Sequence, residues 1–123
     1  MTGAWPYKFF TPAEMQCKHT GECRMDPAFM QRLERLRERY GKPLVVTSGY
    51  RAPSHPVEAR KPGGPGMHSR GIAVDIAIQG PEAVRLLDLA LELGFTGIGV
   101  QQKGDGRFLH LDTRDTPAIW SYP

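Results

Sequence analysis

The segment 72–78 places one carboxylate in an otherwise apolar run, and this feature constrains the fold more than any other. Val74 and Ile76 flank Asp75, so the segment has the pattern of a buried strand. A buried carboxylate is unfavourable unless it is paired or bound to a metal ion. The chain must therefore bring a partner for Asp75 into its interior.

Two histidines are candidate partners for this carboxylate. His68 precedes Asp75 in a glycine-containing turn, and His110 lies on a later apolar run. Two imidazoles and one carboxylate with an open fourth position form a catalytic zinc site. Singly, His68 has an ordinary explanation as a solvated loop residue and Asp75 as a carboxylate paired with an arginine. Together, the three residues predict bound zinc.

The flanking patterns predict an α+β fold. Proline and capping residues mark three helix starts, at Pro12, Pro27 and Pro81. Short apolar and β-branched runs predict four strands, over 44–48, 72–78, 96–101 and 107–112. Residues 51–66 contain four prolines and three glycines and are expected to be a loop. This order favours helices packed on one face of a small, mainly antiparallel sheet.

Helical periodicity predicts which residues of the two longer helices face the core. For the helix that begins at Pro27 they are Phe29, Met30, Leu33, Leu36 and Tyr40. For the helix that begins at Pro81 they are Ala83, Val84, Leu87, Ala90 and Leu91.

Length and composition exclude several classes of protein. The 123 residues, 40% hydrophobic and 24% charged, are expected to form one domain over 1–123 and a monomer. No apolar run approaches the roughly 20 residues of a membrane helix. Residues 1–10 lack the pattern of a secretory signal, so we expect synthesis in the cytoplasm without membrane insertion. The net charge of +3 is not accompanied by the clustered lysines and aromatics of a nucleic-acid binder.

The two cysteines lie close together, with one histidine between them. The spacing of Cys17, His19 and Cys23 does not match the usual paired Cys-x-x-Cys zinc sites. Two thiols or a local disulfide are therefore favoured over a second metal site.

Four blocks of the sequence closely resemble the zinc D-Ala-D-Ala carboxypeptidase-like peptidases, the M15 group of peptidoglycan-cleaving enzymes. The blocks are Ser48-Gly49-Tyr50-Arg51, His68 with Gly71 and Asp75, residues 94–100 and residues 108–114. The resemblance is closest to small members carried by bacteriophages and prophages as endolysins. It implies a fold like that of hedgehog domains and zinc bound by His68, Asp75 and His110. It also implies action on peptidoglycan stem peptides, at the cell wall, after a phage-type release.

The resemblance further implies that Arg51 binds or polarises the substrate carbonyl. A positioned cation stabilises the oxyanion that develops during hydrolysis, and Arg51 directly follows a predicted strand. An ion pair between Arg51 and Asp112 is the structural alternative.

The expected general base is where this chain departs from many relatives. They carry an acidic residue three positions before the last zinc histidine, whereas this chain has Arg107. Asp112 is the first candidate for the base, because two-residue alternation places it on the strand face of His110. Asp105 in the hairpin turn is the second. Asp112 is equally a candidate for orienting His110 or Arg51 through a hydrogen bond.

Expected substrate contacts also differ from those of relatives. Relatives often carry serine two positions before the first zinc histidine, whereas this chain has Gly66. Ser69 and His55 are the remaining candidates for substrate contact, and His55 is close to where relatives often have an asparagine that touches substrate.

The resemblance favours a zinc metallopeptidase that cuts a D-amino-acid-containing peptide bond, as a carboxypeptidase or an endopeptidase. Arg107 keeps an alternative open, because a chain that lost its base would be catalytically impaired. That alternative is a zinc-containing module that binds the cell wall or has a structural role.

Overall fold

A computed structural model describes residues 5–123 and has the predicted α+β architecture. Its α-helices are α1 (Pro12–Met15), α2 (Pro27–Tyr40), α3 (Pro56–Ala59) and α4 (Gly80–Glu92). Its strands are β1 (Val45–Ser48), β2 (Ala73–Ala77), β3 (Gly97–Gln101), β4 (Phe108–Asp112) and β5 (Ala118–Ser121). A 3-10 helix, Met67–Arg70, precedes β2. None of the helices described is long and apolar enough to cross a membrane.

The five strands form one sheet in the order β1-β2-β4-β3-β5. Every neighbouring pair is antiparallel except β3 and β5, which are parallel. The mainly antiparallel sheet is therefore confirmed, and so is the hairpin of β3 and β4. The sequence analysis did not predict strand β5. It is an exposed edge strand, with Ile119 71% exposed, so it lacks the alternation of buried and exposed residues that marks a strand.

The two faces of the sheet have different chemistry. Val74 and Ile76 of β2 and Leu109 and Leu111 of β4 belong to the apolar core, which also contains the buried residues of α2 and α4. Alternation along a strand sends the intervening side chains to the other face. Asp75, between Val74 and Ile76, therefore lies on the face opposite the two long helices.

The core-facing side of α2 matches the prediction. All five predicted residues are buried, and the Asp26 side chain caps the helix by accepting a hydrogen bond from the Phe29 amide at 2.9 Å.

The predicted core face of α4 is partly wrong. Ala83, Leu86 and Ala90 are buried, whereas Val84 is 68% and Leu91 56% exposed. Residues of an α-helix are separated by about 100° around its axis, so Val84 and Leu91 point away from this narrow buried stripe.

The prediction that residues 51–66 lack regular structure is also wrong. They contain α3, whose cap is His55 and whose first residue is Pro56. The His55 Nδ1 atom accepts a hydrogen bond from the Val57 amide at 3.1 Å. Helix α3 matters because it carries the fully buried Glu58.

Strand register aligns the polar residues across the sheet. Asp75 pairs with Ser48 on one side and with His110 on the other, and His110 pairs in turn with Gly99. Gly99 is the register partner of Trp120 on the parallel edge strand. This row runs across all five strands.

Gly97 makes room for the carboxylate of Asp112. The two residues are register partners, and a Cβ atom at Gly97 would overlap the Asp112 side chain. A residue with a side chain there would push Asp112 away from β3.

We predict that Gly97→Ala lowers the free energy of unfolding by about 1–3 kcal/mol, because it overpacks a buried position. Urea denaturation measures the change. Gly106→Ala is the matched control, since a Cβ there meets no atom of the described residues within 4 Å. Equal stabilities of the two variants would contradict the assigned contact.

Candidate metal centre

The 3-10 helix Met67–Arg70 positions His68 at the polar face of the sheet. It ends at Gly71, which has a φ of 74° and whose carbonyl accepts a hydrogen bond from the Asp26 amide at 2.9 Å. A Cβ at Gly71 would collide with the backbone of Arg24. The segment before α2 therefore packs directly on the turn and holds it in place.

The His68 ring is oriented by the backbone. Its Nδ1 atom lies 2.7 Å from the carbonyl oxygen of Gly49 and must carry the proton to make this hydrogen bond. The Nε2 atom is then the one with a free lone pair. It is buried and has no hydrogen-bond partner within residues 5–123, which is unusual for a buried polar atom.

Three potential ligand atoms converge beside that lone pair. Asp75 Oδ1 lies 3.3 Å from His68 Nε2 and 3.1 Å from His110 Nδ1. All three side chains are buried, and their ligand atoms lie within 4.8 Å of one another. Such a group can hold a metal ion, and the unpartnered buried nitrogen of His68 is a donor atom that fits this role.

His110 is placed between two carboxylates. Its Nδ1 atom faces Asp75, and its Nε2 atom donates to Asp112 Oδ2 at 2.7 Å. Burial lowers the pKa of His110, but the hydrogen bonds to Asp112 and Asp75 outweigh burial and raise the pKa above its ordinary value. Without a metal, a proton on each nitrogen satisfies both carboxylates. A cation among the three ligand atoms would replace the proton on Nδ1.

Asp112 is fully buried. Besides His110, it accepts hydrogen bonds from the guanidinium of Arg114, at 2.6 Å from Nη2, and from the Arg114 amide at 3.0 Å. Burial raises the pKa of Asp112, but the hydrogen bonds from His110 and Arg114 hold it well below its usual range. This environment suits a carboxylate that orients a histidine better than one that takes up a proton.

Arg51 reaches the same site from the end of β1. Its Nε donates to Ser48 Oγ at 3.0 Å, its Nη1 to Glu58 Oε2 at 3.1 Å and its Nη2 to Asp75 Oδ2 at 3.3 Å. The alternative pairing of Arg51 with Asp112 is therefore wrong.

Glu58 was missed by the sequence analysis because it falls in the predicted loop. Its Oε1 accepts a hydrogen bond from the Gly66 amide at 2.8 Å, and its Oε2 accepts from Arg51 and from Lys61 Nζ, the latter at 3.0 Å. Burial opposes ionisation, but these partners lower the pKa of Glu58 to about 2. Pro56 after a capping residue was the signal that a helix begins here.

A cleft of about 430 Å³ opens over the clustered side chains. One wall is aromatic, since Trp120 lies with its ring centroid 5.0 Å from that of His110, and Tyr122 lies 5.0 Å from Phe108. The guanidinium of Arg114 stacks over Trp120 at 4.6 Å. Trp120 and Tyr122 were not predicted, because they belong to the unpredicted edge strand and its end.

Four predicted site residues do not line this cleft, the buried Asp112 among them. Ser69 uses its hydroxyl to donate to the Arg51 carbonyl at 2.7 Å, so it supports the backbone. His55 caps α3 and faces the ring of His19 at 5.9 Å. Asp105 is exposed in the hairpin turn.

Arg107, at the position where relatives often carry an acid, donates to the Gly104 carbonyl at 2.8 Å. Its side chain therefore belongs to the hairpin turn.

The two cysteines are free thiols. Cys17 is buried, and its Sγ accepts a hydrogen bond from the Ala52 amide at 3.3 Å. The expectation of thiols or a disulfide is thus resolved in favour of thiols.

A comparison with protein families matches the part of the chain that contains the three clustered side chains. The family model described as Peptidase M15 matches residues 8–112, which include His68, Asp75 and His110. Trp120 and Tyr122 lie beyond the matched range. The chain has no match among curated proteins.

We predict that Glu58 stabilises the fold in a pH-dependent way. Its pKa falls from 4.5 to about 2 on folding, so its contribution is complete above pH 4.5 and is lost as the pH falls through about 2. The difference in free energy of unfolding between wild type and Glu58→Gln should therefore shrink over this interval. Urea denaturation at a series of pH values measures it.

The exposed Glu38 on α2 provides the control. Glu38→Gln should leave the free energy of unfolding within about 0.5 kcal/mol of wild type, because substitutions of exposed side chains have small effects. A constant difference for Glu58→Gln would contradict the assigned ion pairs.

Proposed function

Since the chain belongs to the M15 family of peptidases, we propose that it is a zinc metallopeptidase that hydrolyses a D-amino-acid-containing peptide bond in bacterial peptidoglycan. The observation that carries this proposal is the buried lone pair of His68, which faces Asp75 and His110. The proposed substrates are stem peptides of the cell wall, reached after a phage-type release. The proposed form is a monomer.

His68, Asp75 and His110 are the proposed zinc ligands. Two imidazole nitrogens and one carboxylate oxygen are a donor set that suits zinc and leaves a coordination position open. When bound, zinc supplies a Lewis acid that polarises the scissile carbonyl and activates water.

Arg51 is proposed to stabilise the oxyanion. Within the described part of the chain, its contacts with Ser48, Glu58 and Asp75 use three of the five N–H groups of a guanidinium. The other two are left to donate to the oxygen of a substrate carbonyl in the cleft, which Arg51 lines. Because the three protein contacts hold the guanidinium in place, little reorganisation is needed when charge develops on that oxygen.

Asp112 is proposed to orient His110. A histidine ligand commonly donates its second N–H to a carboxylate, which sets both the tautomer and the ring angle. The 2.7 Å contact between His110 Nε2 and Asp112 Oδ2 has this geometry. Asp105 is exposed and outside the cleft, which weakens its candidacy as the base.

The pairing of the carboxylates also favours a second candidate function. Glu58, Asp75 and Asp112 each already accept hydrogen bonds from cationic side chains. Because all three carboxylates are paired, the site also fits a zinc-containing module that binds the cell wall without hydrolysing its peptides. Hydrolysis distinguishes the two functions.

Digestion of purified sacculi tests the peptidase. We predict that the zinc-loaded chain releases peptide fragments, that a chelator abolishes their release and that added zinc restores it. Mass spectrometry identifies the cut bond and separates carboxypeptidase from endopeptidase activity. The chain should bind one equivalent of zinc, and His68→Ala and His110→Ala should each bind far less.

Full zinc occupancy in both alanine variants would contradict the ligand assignment. Retention on sacculi without release of fragments would support the binding module instead.

We predict that Asp112→Asn lowers kcat by about 10–100-fold and weakens zinc affinity within the same range, because an orienting partner of a metal ligand is lost. Single-turnover hydrolysis and a competitive zinc chelator measure the two effects. Asp115→Asn is the matched control, since Asp115 is exposed. Unchanged turnover and affinity in Asp112→Asn would exclude the orienting role.

A further inference from the structure

Lys61 lines the cleft beside the clustered side chains, with its side chain 37% exposed. Its Nζ atom lies 3.0 Å from Glu58 Oε2, which also accepts from Arg51 at 3.1 Å. Two cations thus share one oxygen of a fully buried carboxylate. Arg51 and the Gly66 amide already satisfy both oxygens of Glu58, so the carboxylate does not need Lys61 as a further partner.

Gly66 leaves open the space that the ammonium group occupies. A Cβ at Gly66 would lie 2.8 Å from Lys61 Nζ, so any other residue there would displace the lysine. An ammonium group has three N–H donors. Among residues 5–123 the contact with Glu58 is its one hydrogen bond, which leaves the other two donors to bind a ligand in the cleft.

The charges around the cleft favour an anionic ligand once a metal is bound. The three cations Arg51, Lys61 and Arg114 are balanced by Glu58, Asp75 and Asp112, as their ion pairs show. A divalent cation at the ligand cluster would therefore give the site a net positive charge. An anionic group on the substrate would be attracted to it.

The spacing of the two cations matches a peptide with a carboxylate close to the cut bond. Lys61 and Arg51 bind the same oxygen, so they are at most two hydrogen-bond lengths apart. A terminal carboxylate lies one residue beyond the last peptide carbonyl, and consecutive Cα atoms are about 3.8 Å apart. With Arg51 on the carbonyl, a carboxylate one residue further falls within reach of Lys61.

We propose that Lys61, held by Glu58, binds a carboxylate of the substrate and makes the site selective for peptides that carry one next to the cut bond. This inference rests on the proposed peptidase function and specifies its substrate. Two sources supply the same chemistry: the free carboxyl end of a stem peptide and a side-chain carboxylate within it.

Three synthetic peptides that end in D-Ala-D-Ala test the proposal. The first has a free carboxyl end and a side-chain carboxylate, the second has an amide at its end, and the third has only its side-chain carboxylate converted to an amide. Steady-state hydrolysis by wild type, Lys61→Met, Lys61→Gln and Lys61→Arg gives kcat and KM for each.

We expect Lys61→Met and Lys61→Gln to raise KM for the first peptide by at least about 10-fold with little change in kcat, since a hydrogen bond to a charged group is lost. Lys61→Arg should retain most of the affinity. Lys103→Met, at an exposed lysine of the hairpin turn, is the matched control and should match wild type.

The peptide on which the variants lose their effect identifies the source of the carboxylate. If the Lys61 variants and wild type have the same KM for the second peptide, Lys61 binds the carboxyl end. If they have the same KM for the third peptide, Lys61 binds the side-chain carboxylate. Equal changes for all three peptides, or a lower melting temperature with no change in KM, would overturn the proposal.

Binding to the metal-free chain separates this inference from the proposed function. Calorimetry should show tighter binding of the first peptide to wild type than to Lys61→Met. If the zinc-loaded chain cuts none of the peptides, the peptidase proposal fails, while this comparison still decides the role of Lys61. Equal binding by the two chains would overturn it.

Discussion

The site depends on how the buried carboxylate of Asp75 is satisfied. It lies in the middle of β2, in a strand with core residues on either side, and its oxygens face two histidines and one arginine. Burial raises the pKa of Asp75, but the hydrogen bond with His110 and the nearby His68 ring hold it well below the usual range, so the group stays ionised. A buried anion of this kind requires polar or charged partners, and the two histidines among them complete the proposed metal centre.

The two faces of the sheet have different roles: one contributes to the stability of the fold and the other carries the polar site. One face packs Val74, Ile76 and Leu111 into the core with the helices, whereas the other carries Asp75 and His110 side by side in register. Because alternate residues of a strand point to opposite faces, one short segment serves both purposes. A shift of register by one residue would reverse them.

Two buried carboxylates hold other side chains of the site in place. Asp112 holds His110 and is itself held by Arg114, and Glu58 holds Arg51 and Lys61. The first support joins residues along β4 and just beyond its end, whereas the second is carried by helix α3. These networks reduce the freedom of the groups that would meet a substrate, which favours catalysis and selective binding by preorganisation.

The sequence alone determined the alternating strands, the capped helix α2 and the cluster of His68, Asp75 and His110, because these follow from periodicity and from the cost of burying a charge. Only the tertiary structure decided that Arg51 pairs with Asp75 and Glu58 while Arg114 takes Asp112. It also placed Trp120 beside His110. The pairing of Arg51 with Asp75 and the contact of Trp120 with His110 depend on strand order and loop path, because these residues are distant in sequence and no local signal joins them.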